Sequence, residues 1–319
     1  MLGVWTGEYT DSGKKVYKFT RRTDPEFDPP FSVVVPCGRC LGCRLDYSRS
    51  WADRMMLELE TEKKAIFCTL TYDNDHVPIL SDDQGEVLGF TLDKRDCQLF
   101  MKRLRRRYDG KDGHSFAKIR FYLSGEYGSQ TLRPHYHAII FGLSLDDFPD
   151  RILKGVNELK QPFFCSDSFS ELWPNGFILL SDVSYNTCAY VSRYVLKKAY
   201  SDYSEASERG VSPEFNLMSR NPGIGSRYLE LHPDCLDLTS ISLSTDRTGK
   251  KIMIPKYFLR KCSLSDPDRY DRMCLERKSL ARRSEALKLS STTLSYLDML
   301  ELEENSKLSS CRVLDRRLE

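Results

Sequence analysis

No run of apolar residues in this sequence is long enough to cross a bilayer as a helix, which leaves no helical membrane span to place. The opening Met1-Leu2-Gly3-Val4-Trp5 lacks the basic-then-apolar layout of a secretion signal. No Gly-x-x-x-x-Gly-Lys-Ser/Thr loop occurs, so no P-loop motor is expected on this chain. No internal repeat is found. Net charge is almost absent, +2 over 319 residues, so the overall balance announces no nucleic-acid partner. The eleven cysteines are an odd number and mostly stand alone in apolar stretches. Together with the missing signal, they lead us to expect reduced thiols, a cytoplasmic location and no membrane partner.

What is present is a soluble, globular composition, 40% apolar and 29% charged, with charge unevenly spread. Residues 94 to 120 carry a local excess of seven positive charges, centred on Arg105, Arg106 and Arg107. Such a run is either a solvated helix face or a contact for DNA phosphates. Periodicity predicts a helix over about 45–62 and a strand at Ala65–Tyr72. It predicts a second helix over about 93–108, whose apolar stripe is Cys97, Phe100, Met101, Leu104 and Tyr108. Strands follow at Ile119–Ser124 and His135–Leu143, a helix at about 148–160, a strand at Phe177–Leu180 and a helix over about 185–200. This order predicts an α+β fold, an antiparallel sheet flanked by helices. We divide the chain into an arm (1–30), a catalytic domain with the cysteine cluster (31–205), a β-rich extension (206–262) and a charged helical tail (263–319). The arm is expected to be turn-rich with little core, and the last twenty residues to be poorly ordered.

Three short stretches can carry chemistry. In Arg133-Pro134-His135-Tyr136-His137 the two histidines lie two apart, so a strand points both at one side of its sheet, as a pair of metal ligands or as ordinary polar residues. Glu126, in Ser124-Gly125-Glu126-Tyr127-Gly128, precedes His135 by nine residues, and a hairpin brings its carboxylate beside the imidazoles. Two nitrogens and one hard oxygen suit Mg²⁺ or Mn²⁺ acting as a Lewis acid. In Tyr190-Val191-Ser192-Arg193-Tyr194-Val195-Leu196-Lys197-Lys198, Tyr190 and Tyr194 stack at i and i+4, with the Lys197 cation one turn on. Helical tyrosines usually pack. A cation that favours the phenolate and a metal that drains charge from phosphate make them nucleophiles.

The ordered set of a Phe-x-Thr-Leu-Thr-Tyr strand, Gly-Glu-Tyr-Gly, Arg-Pro-His-Tyr-His and Tyr-x-x-x-Tyr-x-x-Lys-Lys resembles the His-hydrophobe-His endonucleases. More narrowly, the chain is similar to the replication initiators of microviruses, especially the gokushovirus branch, over about residues 31 to 260. That stretch includes Trp51-Ala52-Asp53-Arg54, Leu217-Met218-Ser219-Arg220 and Ile254-Pro255-Lys256-Tyr257. The resemblance implies a rolling-circle initiator that nicks and rejoins single-stranded DNA at a replication origin through a 5′-phosphotyrosine link. It implies Glu126, His135 and His137 as metal ligands, Tyr190 and Tyr194 as nucleophiles and Lys197 as their helper. It also implies that the strand holding Thr69, Thr71 and Tyr72 lies near bound DNA. Tyr136 departs from the usual aliphatic residue between the histidines. No helicase segment follows, so strand separation and synthesis fall to a host helicase and polymerase.

Cys37-x-x-Cys40-x-x-Cys43 has the spacing of a zinc knuckle, with Cys68 or His76 as fourth-ligand candidates, or it is a turn holding free thiols. Structural Zn²⁺ therefore stands beside the catalytic metal as an expectation. Other readings remain: a plasmid initiator, relaxase or transposase of the same superfamily; a zinc-stabilised DNA-binding module without catalysis; or a metallohydrolase that activates water.

Overall fold

Along Ala65–Tyr72, half-buried and buried residues alternate strictly, which means that the two sides of this strand are covered differently. The computed structural model describes residues 2–11, 15–20, 32–34, 38, 40–109, 119–128, 131–157, 161–197, 211–244 and 249–315. In chain order its strands are β1 (Leu2–Tyr9), β2 (Lys15–Thr20), β3 (Ser32–Val34), β4 (Ala65–Tyr72), β5 (Ile79–Ser81), β6 (Val87–Phe90) and β7 (Arg120–Tyr127). They continue with β8 (Pro134–Phe141), β9 (Ile152–Val156), β10 (Pro162–Cys165), β11 (Gly176–Asp182), β12 (Phe215–Met218), β13 (Ser240–Ser244) and β14 (Gly249–Met253). The α-helices are α1 (Leu41–Glu62), α2 (Lys94–Tyr108), α3 (Asp167–Ser170), α4 (Tyr185–Lys197), α5 (Ser226–Leu231), α6 (Lys256–Ser265), α7 (Pro267–Ser290) and α8 (Tyr296–Asp315).

Seven strands form one sheet in the order β12-β7-β8-β4-β11-β10-β9, each pair antiparallel. The expected α+β class is therefore what the chain adopts. One side of the sheet buries Cys68, Leu70, Tyr136 and Leu123 beneath α2, whose Phe100, Met101 and Leu104 complete that core with Trp173. The other side buries Tyr122, Ile139 and Phe141 beneath α1 and α4, through Ala52, Met55, Cys188 and Val191. α1 and α4 also meet through the Ser48 and Ser192 hydroxyls, 3.1 Å apart. α2 begins cleanly because the Asp93 side chain accepts a hydrogen bond from the Arg95 N–H.

The structure revises four sequence expectations. The helix expected at 148–160 is instead the β9–β10 hairpin. Gly155 disfavours helix by up to about 1 kcal/mol, and a Cβ there would lie 2.8 Å from the Phe163 ring that covers it. The Asp150 carboxylate also accepts hydrogen bonds from the hydroxyls of Ser166 and Ser168 and from the Ser168 N–H, pinning the chain just before β9 to the segment after β10. The arm is a three-stranded sheet, order β2-β1-β3, because its Val-Trp-Thr and Val-Tyr-Lys-Phe runs favour strand pairing over turns. The end of the chain is helical to Asp315, in keeping with its leucine- and glutamate-rich composition, and Lys288 of α7 pairs with Glu303 of α8 at 2.5 Å. Finally, β12, expected in a separate extension, is the edge strand of the main sheet, paired with β7.

A candidate metal centre and its tyrosine

Strand register decides where the histidines go. Glu126 on β7 stands directly opposite His135 on β8, and His135 stands opposite Thr71 on β4. One row along, Ser124, His137 and Thr69 form a second line across the same three strands. Residues paired in register share a side of the sheet, so these six side chains all lie on the α1/α4 side. Tyr136, between the histidines, points the other way into the α2 core, where its hydroxyl approaches that of Tyr72 at 3.0 Å. The aromatic residue at that position is thus a core residue and leaves the ligand face unaltered.

Glu126, His135 and His137 form the one cluster of metal-ligating side chains with suitable geometry among the described residues, their ligand atoms lying within 4.8 Å of one another. Glu126 Oε1 lies 2.5 Å from His135 Nε2 and 3.0 Å from His137 Nε2. Its side chain is only 3% exposed. Burial opposes ionisation there, but hydrogen bonds from His135 and His137, with their charge, outweigh it and hold the carboxyl down at about 2.

The outer ring nitrogens are also held. His135 Nδ1 lies 3.1 Å from the Arg133 carbonyl, which can only accept, so Nδ1 carries a proton and donates it. This leaves Nε2 facing Glu126 Oε1, and two lone pairs at that distance need a proton or a metal cation between them. His137 Nδ1 meets the Thr69 hydroxyl at 3.0 Å. Outer-nitrogen hydrogen bonds that turn Nε2 inward are the usual support of a histidine metal ligand. The donor set, two imidazole nitrogens and one buried carboxylate oxygen, therefore fits a divalent cation.

Tyr190 reaches the cluster from α4. Its ring stands edge-on to His137, with centroids 5.1 Å apart and planes at 75°, and edge-on to Phe67 at 6.3 Å. Phe67 stacks on the other side, parallel to the His137 ring at 5.7 Å. Tyr194 and Lys197 continue α4 toward its C-terminal end, and their side chains lie outside the described residues.

Residues 65–199 match the family of replication-associated proteins of the ORF2 type. That segment opens on β4 and runs just past the end of α4, so it contains every residue of the cluster and both tyrosines. The chain is 32% identical to the replication-associated protein ORF2 of Spiroplasma virus 4 over 283 residues, 86% of this chain and 82% of that one. The chain belongs to the microvirus replication-associated proteins. It is also 29% identical to the replication-associated protein VP4 of Bdellovibrio phage phiMH2K, over 83% of this chain and 76% of that one. A further relative is the replication-associated protein ORF4 of Chlamydia phage 1, 32% identical over 53% of this chain and 39% of that one. No solved structure matches.

Within this microvirus protein, other expected site residues fall elsewhere. Tyr72 is 1% exposed and donates to Asp96 at 2.7 Å on the α2 side, so it cannot touch DNA lying over the histidines. The arginines of α2 sit behind the sheet as seen from the cluster. Arg105 donates to the Ile119 carbonyl, Arg107 to the Ser168 carbonyl and, at 2.6 Å, to Glu171, while Arg106 is exposed. They cannot neutralise phosphates at the histidines through the sheet. Thr69 and Thr71 do face the cluster side. Cys37 lies outside the described residues, Cys40 is exposed ahead of α1 and Cys43 is within its first turn. Neither Cys68, buried in the α2 core, nor His76, bonded to Asp73 at 2.7 Å, joins Cys40 and Cys43 in a ligand group.

Two residues on the cluster face escaped the sequence reading. Phe177 and Leu179 on β11 pair with Thr71 and Thr69, and Phe177 is 66% exposed. Strict alternation with buried Ile178 and Leu180 was the signal available, but it could not say which side would stay open.

Proposed function

We propose that this chain initiates rolling-circle replication by nicking single-stranded origin DNA, holding the 5′ end on a tyrosine and later rejoining the strand. The observation that carries this reading is the Tyr190 ring lying against His137 of a buried Glu-His-His cluster. A divalent cation such as Mg²⁺ or Mn²⁺, held by Glu126, His135 and His137, supplies Lewis-acid withdrawal of charge from the scissile phosphate. Glu126 and the two outer-nitrogen hydrogen bonds keep both Nε2 atoms aimed at one point, so the reacting phosphate meets a preorganised site.

The oxygen of Tyr190 or Tyr194 attacks phosphorus in line. A P–O(tyrosine) bond forms, the P–O3′ bond breaks, and the phenolic proton passes, directly or through water, to the leaving 3′ oxygen. The free 3′-hydroxyl primes a host polymerase, while a host helicase opens the duplex. Because one phosphodiester replaces another, no nucleotide cofactor is consumed on rejoining, when a 3′-hydroxyl attacks the phosphotyrosine. Lys197 favours the phenolate of the attacking tyrosine. Two tyrosines one helical turn apart allow one to hold a strand while the other cuts the regenerated junction. Thr71, Phe177 and Leu179 border the site on the open side of β4 and β11, where the bases next to the scissile phosphate stack.

The test is adduct trapping with a single-stranded origin oligonucleotide and Mn²⁺, followed by mapping of the modified residue. Tyr190→Phe and Tyr194→Phe singly leave some adduct, and the double variant leaves none while still binding DNA. Adduct on another residue, or full adduct in the double variant, sinks the nucleophile assignment. Cleavage without any adduct points instead to a water-activating metallohydrolase, and binding without cleavage to a non-catalytic module.

A further inference from the structure

Three sequence motifs outside the metal cluster converge on one loop. Residues 219–225, Ser-Arg-Asn-Pro-Gly-Ile-Gly, follow β12 and are held from every side. Arg54 of α1 donates twice to the Ile224 carbonyl, at 3.0 and 2.8 Å, and its guanidinium stacks between the rings of Trp51 and Tyr257. The Tyr257 hydroxyl accepts from the Gly223 N–H at 3.1 Å. Glu58 accepts from the Gly225 N–H and from Arg120, whose other arm reaches the Pro222 carbonyl at 2.9 Å. Gly223 is packed so closely that a Cβ would lie 2.8 Å from the Tyr257 ring. This much fastening for a surface loop implies that its position matters.

What the loop builds is a cleft of about 560 Å³ at the start of β7, lined by Arg105, Arg120, Arg220 and Arg227 together with Glu58 and Glu62. The two glutamates are neutralised internally, Glu58 by Arg120 and Glu62 by Arg227 at 2.9 Å. Glu230, also on the wall, lies 3.8 Å from Lys261. The charge left over is that of Arg105 and Arg220. Arg220 is exposed, and one buried N–H₂ of Arg120 has no hydrogen-bond acceptor among the described residues. A rigid wall that presents spare guanidinium donors and net positive charge is suited to a phosphate oxyanion.

We propose that this cleft is a second phosphate site, gripping the backbone of the DNA strand whose scissile phosphate sits at the Glu126–His135–His137 cluster. The inference rests on the DNA-processing reading above. Arg120 and Glu126 stand at opposite ends of β7, six residues apart, which at about 3.4 Å per residue is roughly 20 Å. At about 3.4 Å per phosphate in a B-form strand, some six nucleotides separate the two grips. The cleft acts as a register stop, holding the strand at a set distance from the point of cleavage.

The test measures binding of fluorescent oligothymidylates to the full chain in EDTA, so no metal and no cleavage are involved. Arg220→Glu, a change at an exposed side chain, is compared with Arg106→Glu, an equal charge reversal at an exposed position outside the cleft. Arg220→Glu is expected to weaken binding of a 20-mer about tenfold, as loss of a hydrogen bond to a charged group does. It also lowers the salt slope by about one phosphate contact. Binding of a 4-mer, too short to reach both grips, is unchanged, and Arg106→Glu costs less than about twofold. Circular dichroism melts verify that both variants fold. Equal losses for the two variants, or the same loss on the 4-mer, overturn the proposal. Inorganic phosphate or thymidine triphosphate binding that Arg220→Glu abolishes, with 20-mer affinity untouched, assigns the cleft to a free nucleotide and also overturns it. A chain that binds in this length-dependent way yet never forms an adduct loses the nuclease reading but keeps the second grip.

Discussion

The seven-stranded sheet presents two sides made from the same strands, and they are put to different uses. On the α2 side, Cys68, Leu70, Tyr72 and Tyr136 close against Phe100, Leu104 and Trp173, and even the polar atoms are paired, Tyr72 with Asp96 and with Tyr136. On the other side, α1 and α4 cover Tyr122, Ile139 and Phe141, while the neighbouring Thr69, Thr71, His135, Phe177 and Leu179 stay partly or largely open. One strand, β8, supplies both: Tyr136 to the closed side, His135 and His137 to the open one. Apolar closure makes the sheet stiff enough that imidazoles on its other side stay aimed without needing a core of their own.

Substitutions that separate catalysis from stability test this division. The largest effect is expected from His135→Ala, which should lower cleavage of a single-stranded oligonucleotide by at least about 10²-fold, the usual cost of losing one preorganised charge-stabilising group. DNA affinity and the metal-free melting temperature should hardly move, and a variant that unfolds would show that the histidine is structural. Thr69→Val removes the hydroxyl that fixes His137 Nδ1. Mn²⁺ affinity measured by calorimetry should drop about 10- to 100-fold, as it does when an outer-nitrogen partner is lost, with the fold intact. Unchanged affinity would mean that His137 needs no such support. The smallest effect lies on the closed side. Tyr72→Phe should cost about 1 kcal/mol in chemical denaturation for its lost hydrogen bonds and leave cleavage at the wild-type rate. A cleavage defect there would break the distinction between the two sides.

Much of this arrangement was legible in the sequence because it depends on local spacing. The i, i+2 histidines on a β-branched strand, the carboxylate nine residues upstream and the i, i+4 tyrosines each follow from a single period, and the structure brings Glu126, His135, His137 and the Tyr190 ring together. Long-range choices were not legible. The stripe of Cys97, Phe100, Met101 and Leu104 says that α2 packs, not on which side of the sheet, and so its arginines were expected near the DNA. Tyr72 differs from Thr71 by one step of strand alternation, and that step puts it in the core. The β9–β10 hairpin read as a helix because Ile152, Leu153 and Val156 suit either period, and the Phe163 ring over Gly155 is a tertiary contact. β12 joins β7 across about ninety residues of chain, a pairing that no local pattern encodes.

The whole set of candidate ligands, from Glu126 to His137, lies within twelve residues of one hairpin, β7 turning into β8. Closing so short a loop costs little chain entropy, so the chelating triad can assemble as soon as that hairpin zips, in microseconds, without waiting for the distant edge strand. The tyrosine arrives later in the chain, on a helix that begins only at Tyr185. Capturing a cation and becoming able to cut are thus separate events in the life of a nascent chain. A chain interrupted before α4 would hold its ion and leave the genome whole.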